Sequence, residues 1–171
     1  PYYWRCLQQG MSLAQNIDRT VFAASAPLRN EFGELYKSLF RSSHLYERVV
    51  SVLARKKIGM TRSEIIATAG DGIAGTLSEV LESLECSGFV RRYRSPGKKA
   101  RDSVYQLIDG FTFFHFRFLD GATTDEHFWQ TMAQTPVRSA WRGLAFERLC
   151  LLHVRQIKAA LGISGIHVES Y

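Results

Sequence analysis

The sequence predicts a mainly α fold with one small β-hairpin, an α+β class. Three observations carry that expectation. Apolar residues recur at helical spacing through most of the 171 residues, as in Leu77, Val80, Leu81 and Leu84 at i, i+3, i+4 and i+7. Two runs rich in β-branched and aromatic residues, "FVRRYR" and "SVYQLID", bracket the Pro-Gly loop "SPGKKARD". Helical patterning then returns and continues almost to the end of the chain.

Residues 1–42 read as three short helices. "YYWRCLQ" is the first. "SLAQNIDRTVF" is the second, with Ser12 able to cap it and Leu13, Ile17 and Val21 on one side. "APLRNEFGELYKSLFRSS" is the third. Pro27 suits its first turn, and Leu28, Phe32, Leu35, Tyr36 and Leu39 form its apolar stripe. "HLYERVVSVLARKKIG" follows as an amphipathic helix with Leu45, Val49 and Leu53 on one side, closed by Gly59. In "MTRSEIIATAG", Thr61 and Glu64 are spaced as a capping box, with Ile65 and Ile66 behind them and Gly70 as the stop. "IAGTLSEVLESLECSGFV" is a third helix, closed by Gly88, and the hairpin comes next. Three helices and then a basic hairpin is the order of a winged helix-turn-helix, expected over residues 43–109.

Beyond it, Asp109 can cap "GFTFFHFRFL". That segment alternates poorly as a strand and is apolar nearly all round as a helix, which would demand burial. "TTDEHFWQTMAQ" reads as a short helix. "PVRSAWRGLAFERLCLLHVRQIKAALG" reads as the longest, with Trp141, Leu144, Ala145, Leu149 and Leu152 expected inside and Gly162 at its C′ position. "SGIHVES" reads as the start of a strand.

The formal net charge of +6 is local. Arg91, Arg92, Arg94, Lys98, Lys99 and Arg101 supply six cations with no acid among them, and the other sixteen cations balance the sixteen acids. A hydrophobic content of 46% argues against disorder. The three cysteines, Cys6, Cys86 and Cys150, are far apart with no CxxC, so no disulfide framework or zinc site is expected and a reducing cytoplasm fits. His44, His115, His127, His153 and His167 show no pair at ligand spacing, and no metal is expected. No signal-peptide h-region and no span-length apolar run is visible, so no membrane partner is expected. The chain opens on Pro1 and stops inside "GIHVESY", and we read it as a piece of a longer protein.

Three stretches carry a resemblance. "PYYW…SLAQNID…APLRNEFGELYKSLF" resembles the region after the nucleotide-binding core of a prokaryotic P-loop ATPase family of the AAA/STAND type. "TRSEIIATAG…AGTLSEVLESLECSGFVRRYRSPGKKARDSVYQLID" resembles that family's winged helix. "FWQTMAQTPVRSAWRGLAFERLCLLHVRQIKAALGISGIHVES" resembles the opening of its restriction-endonuclease-like domain. The resemblance implies a lid-like segment at 1–42 and a helical linker with the incomplete start of a nuclease-like domain at 110–171. It implies ATP and Mg²⁺ in the parent protein, with the ATPase core N-terminal to Pro1. This chain has no GxxxxGK[ST], so no cofactor is expected in it and the chain alone is not expected to be an enzyme. Glu147 matches the helix glutamate of such nucleases. One carboxylate does not hold Mg²⁺, and a plain surface glutamate explains it equally well.

The expected partner is DNA, held by its phosphate backbone without much sequence preference. The helix that would read bases offers Ala74, Gly75, Thr76 and Ser78 at its start and Glu79 and Glu82 beyond, with no Arg, Lys, Asn or Gln for bidentate base contacts. Thr76 and Ser78 are candidates for phosphate contact. The hairpin cations are the main candidates, with Arg91 and Tyr93 on one face and Arg92 and Arg94 on the other. Arg55, Lys56, Lys57 and Arg62 extend that surface or serve as helix-end charges. A solvated hairpin whose charges guard a sheet edge is the plainer reading. A winged helix that docks protein, including the missing ATPase core, is the functional alternative. Phe111, Phe113, Phe114, Phe116, Phe118, Phe128 and Trp129 would then form either an interdomain core or a groove.

Overall fold

The computed structural model describes residues 2–94, 102–121 and 125–165. The chain begins with α1 (Tyr2–Arg5) and α2 (Leu13–Ile17). Ser12 caps α2 as its position implied, and Gln15 completes a capping box that the sequence reading did not include. The helix then widens into a π turn, Asp18–Phe22, closed by Ala23 N–H donating to the Asp18 carbonyl at 2.9 Å. This changes which side faces inward. The expected stripe fails at Leu13, which is 68% exposed, while Asn16, Asp18 and Thr20 are buried with Val21 and Phe22.

Each of these three polar side chains is hydrogen-bonded, which makes its burial tolerable. The Asn16 amide takes Gln8 N–H at 2.7 Å and donates to the Gln8, Met11 and Ser12 carbonyls. Asp18 accepts from Trp129 N–H at 2.7 Å, Gln130 N–H at 3.1 Å and Gln130 Nε2 at 2.9 Å. It thereby caps the short α8 (Phe128–Thr131) from far away in sequence.

Helix α3 (Glu31–Leu39) starts later than Pro27 suggested. Leu28 N–H is taken by the Thr20 carbonyl at 2.9 Å, so residues 27–30 turn before the helix begins. Leu28, Phe32 and Tyr36 are buried as expected, whereas Leu39 is exposed. Helix α4 (Ser43–Ala54) lies against α3 and buries Val49, Val50, Val52 and Leu53. It also packs on α5 (Arg62–Ala69), α6 (Leu77–Cys86), α7 (Gly110–Phe118) and strand β3 (Val104–Leu107).

The sheet has three antiparallel strands in the order β1-β3-β2, with β1 at Met60–Thr61 and β2 at Val90–Tyr93. Strands β2 and β3 are the expected hairpin, paired Val90 to Leu107 through Tyr93 to Val104. Strand β1, paired Met60 to Tyr105 and Thr61 to Val104, has no counterpart in the sequence reading. Thr61 both ends β1 and caps α5. Its hydroxyl accepts Glu64 N–H at 3.3 Å, and Glu64 Oε2 accepts Thr61 N–H at 2.7 Å. Leu77, Val80, Leu81 and Leu84 of α6 are all buried, as their spacing predicted.

The ambiguous "FTFFHFRFL" segment is the helix α7, capped by Asp109, which accepts Thr112 N–H at 2.7 Å. Burial on several sides resolves its lack of polarity. Phe114 and Phe118 join Phe22, Phe128 and Trp129 in one aromatic cluster. On another side His115 stacks on Phe32 at 4.0 Å, where burial lowers its pKa. The fully buried Tyr36 hydroxyl meets Thr112 Oγ1 at 3.1 Å, and burial raises the Tyr36 pKa.

All of this belongs to one compact unit, Pro1–Gln130. The second unit, Thr131–Tyr171, consists of α9 (Pro136–Leu152) and α10 (Val154–Ala160) among its described residues. Thr135 caps α9 and Pro136 opens it. The single long helix expected here is interrupted at His153, whose φ of −108° and ψ of 17° leave the helical region. Gly162, with a φ of 70°, does terminate the helical stretch. The expected buried side is overturned. Leu149 and Leu152 are more than half exposed, Trp141, Leu144 and Ala145 are half-buried, and the buried residue of α9 is Arg148. Burial lowers the Arg148 pKa to about 10, with the neighbouring Glu147 opposing. A stripe marks a side suited to burial, but burial also needs chain packed over it, and within this unit the described residues pack only α10 against α9. The strand expected at "SGIHVES" lies outside the described residues from 166 onward.

Two outcomes follow from the sheet and its cap. Gly59 has a φ of 87°, and a Cβ there would meet the Tyr105 carbonyl oxygen at 2.6 Å. Gly59→Ala should destabilise the fold by at least about 1–3 kcal/mol from the left-handed backbone alone, read as a lower urea midpoint. Glu64 is held down to a pKa of about 2, first by Lys56 Nζ at 2.5 Å and then by Thr61. Its folded pKa lies below the ordinary 4.5, so its charge stabilises the fold fully above about pH 4.5 and loses that effect towards pH 2. Glu64→Gln keeps the cap but not the charge. Its urea midpoint should fall below wild type at pH 7 and converge with it near pH 2.

Candidate nucleic-acid interface

The candidate surface is built from the α5–α6 connection and the β2–β3 hairpin. Gly70 ends α5 with a φ of 92°, and Arg48 donates to the Ala69 carbonyl beside it. A 3₁₀ turn, Asp71–Ile73, leads to α6 and buries Ile73 completely. Arg62 clamps this connection. Its Nη2 donates to the Ala74 carbonyl at 2.7 Å and its Nε to Ser78 Oγ at 3.3 Å. A guanidinium is thus fixed at the start of α6, where it donates to a carbonyl of the connection that precedes the helix. Thr76 is exposed, its hydroxyl 3.4 Å from the Ile73 carbonyl, and Ser78 is exposed and engaged by Arg62. Glu79 and Glu82 lie exposed beyond them, so the outward face of α6 is acidic.

The hairpin cations divide by partner. Arg91 is half-buried, donates Nη2 to Gln106 Oε1 at 3.0 Å and lies 5.6 Å from the Tyr93 ring centre. Arg92, on the opposite face, is more exposed and forms an ion pair with Glu85 of α6, Nε to Oε2 at 3.5 Å. Arg94 is exposed at the end of β2. Lys98, Lys99 and Arg101 lie outside the described residues. The cations outside the hairpin divide as well. Arg55 and Lys57 are exposed, whereas Lys56 is held by Glu64.

Gln106 is the organising residue that sequence reasoning missed. It is buried, its Oε1 holds Arg91 and its Nε2 donates to the Lys57 carbonyl at 2.7 Å. Tyr93 reinforces the same crossing by donating its hydroxyl to the Ile58 carbonyl. The available signal was a glutamine in the middle of an otherwise apolar strand, "VYQL". A buried amide there needs backbone partners, and the chain before β1 supplies one.

Glu147 stands exposed on α9. Among the described residues no group of three His, Cys, Asp or Glu side chains is placed to hold a metal ion. No described helix is long and apolar enough to cross a membrane. No family model, curated protein or solved structure matches the chain.

Gln106→Ala would leave the Lys57 carbonyl and the Arg91 guanidinium without these partners. The cost expected is about 1–3 kcal/mol, read by urea unfolding, with faster amide exchange in β1 and β3 than elsewhere.

Proposed function

We propose that residues 43–109 form a winged helix-turn-helix module that binds the backbone of duplex DNA through its basic wing, with little sequence preference. The observation that carries the reading is the order α4-β1-α5-α6-β2-β3 around a β1-β3-β2 sheet, joined to a hairpin that concentrates the chain's excess positive charge. Exposed Arg94 and the wing-tip Lys98, Lys99 and Arg101 would contact phosphates, which need cations and carry no sequence code. Thr76 and Ser78, at the start of α6, would add hydroxyl contacts. The acidic outer face of α6 disfavours deep insertion into a groove and supports contact through the wing instead.

On the resemblance, the chain would be the C-terminal part of a prokaryotic AAA/STAND-type ATPase, working in the cytoplasm. The lid-like segment 1–42 would transmit ATP-driven rearrangement from the nucleotide-binding core to the wing. Residues 110–171 would lead into a nuclease-like domain in which Glu147 is one of several Mg²⁺-binding carboxylates. A second reading, docking of protein instead of DNA, is favoured by Glu79 and Glu82 on the exposed face of α6.

The test is duplex-DNA affinity as a function of salt. The Lys98→Ala/Lys99→Ala/Arg101→Ala variant should bind more weakly. Its log–log slope should be shallower by about 0.9 for each phosphate the variant no longer neutralises. A flat salt dependence, or an unchanged slope in the variant, would overturn backbone binding and leave the docking reading.

A further inference from the structure

The ion pair between α6 and β2 has a consequence for how strongly the hairpin holds phosphate. Glu85 lies in the last turn of α6, at the negative end of the helix dipole, with no basic residue in that turn. Helix stability alone disfavours a carboxylate there. The chain then reverses tightly. Gly88 takes a φ of 77°, Phe89 N–H donates to the Leu84 carbonyl at 2.9 Å, and β2 starts at once. That reversal brings Arg92 back to within 3.5 Å of Glu85. Both side chains keep solvent access, Arg92 at 54% and Glu85 at 35%, so a phosphate can reach the guanidinium and exchange for the carboxylate. Arg91 differs, because buried Gln106 and the Tyr93 ring hold it and neither carries a competing negative charge.

We propose that Glu85 is an intramolecular competitor for the phosphate contact of Arg92, so that the end of α6 restrains the grip of β2 on the nucleic-acid backbone. The proposal rests on the DNA-binding reading and adds a restraint to it. In the free protein the Glu85 carboxylate occupies the guanidinium edge that a backbone phosphate would take. While the pair holds, Arg92 neutralises no backbone phosphate, so the wild-type chain binds with one phosphate contact fewer than an unpaired arginine would give.

Glu82 is the control. It lies one turn earlier on the same helix, is exposed, and forms no ion pair among the described residues. Glu82→Gln and Glu85→Gln change net charge equally, so any difference between them isolates the pairing. Duplex affinity would be measured against salt for wild type, both glutamine variants, Arg92→Ala and Glu85→Gln/Arg92→Ala. Glu85→Gln should bind about two- to fivefold more tightly than Glu82→Gln, the range an exposed ion pair allows. Its salt slope should be steeper by about 0.9, the value of one further phosphate neutralised. Arg92→Ala should change wild type little and should abolish the gain in the Glu85→Gln background. Equal behaviour of the two glutamine variants, with wild type binding DNA, would overturn the competition and leave the DNA reading standing. Failure of every variant to bind would overturn both. Binding by Glu85→Gln but not by wild type or Glu82→Gln would support it. Thermal melts of each variant confirm folding, since both glutamates lie on a solvent-facing side of α6.

Discussion

The close passage of the Gly59 backbone over the Tyr105 carbonyl is the constraint on which the first unit turns. Without a side chain at 59, two residues can pair as β1 on the outer edge of β3. Thr61 closes that strand and caps α5 with the same residue, so the register of β1 fixes where the helix begins. The start of α5 in turn places Arg62 against the Ala74 carbonyl and Ser78, which sets the approach of α6. Gln106 and Tyr93 hold the other side of the crossing by engaging the carbonyls of Lys57 and Ile58. A two-residue strand contributes little by itself. Its effect comes from the helices and side-chain clamps whose positions it determines.

Charge is distributed so that the surface is less uniformly basic than the linear run of cations implies. Of the described hairpin arginines, one is held by an amide and a ring, one by a carboxylate, and Arg94 is exposed. Lys56 is likewise absorbed by Glu64 in the α5 cap, where it lowers a carboxylate pKa. Several cations therefore serve the fold first. Counting charges in the sequence overstates the charge left unpaired at the surface, whereas sorting cations by partner separates structural from available charge.

Patterns that depend on one local period were legible. Leu77, Val80, Leu81 and Leu84 announce α6, and the Thr61–Glu64 spacing and the cap at Ser12 announce helix starts, because each device is complete within a turn or two. Strand β1 was not legible, since two residues define no alternation and its partner lies over forty positions away. The π turn was hidden for a related reason. Burial of Asn16, Asp18 and Thr20 depends on carbonyls and amides that the fold brings to them, including those of residues 129 and 130. The same holds at the candidate interface. The hairpin cations stand out in the sequence, but Gln106 and Glu85 meet their arginine partners only through cross-strand pairing and the reversal at Gly88.

The second unit shows the limit of amphipathic reasoning from the other direction. The repeat from Trp141 to Leu152 is strong enough to predict a helix, and the helix is there. A stripe predicts that a side is suited to burial, and burial also requires chain on the far side to cover it. Within the second unit the described chain offers α9 only α10, and Phe146, Leu149 and Leu152 stay exposed while an arginine takes the buried position. Thr135 and Pro136 hold the helix start by local means, and Gly162 ends the helical stretch by local means. Local signals thus account for the form of this unit, whereas the first unit depends on long-range contacts, from Asp18 to Trp129 and from Gly59 to Tyr105. A substitution within α9 that keeps helix propensity should therefore disturb structure far less than one at either of those two crossings.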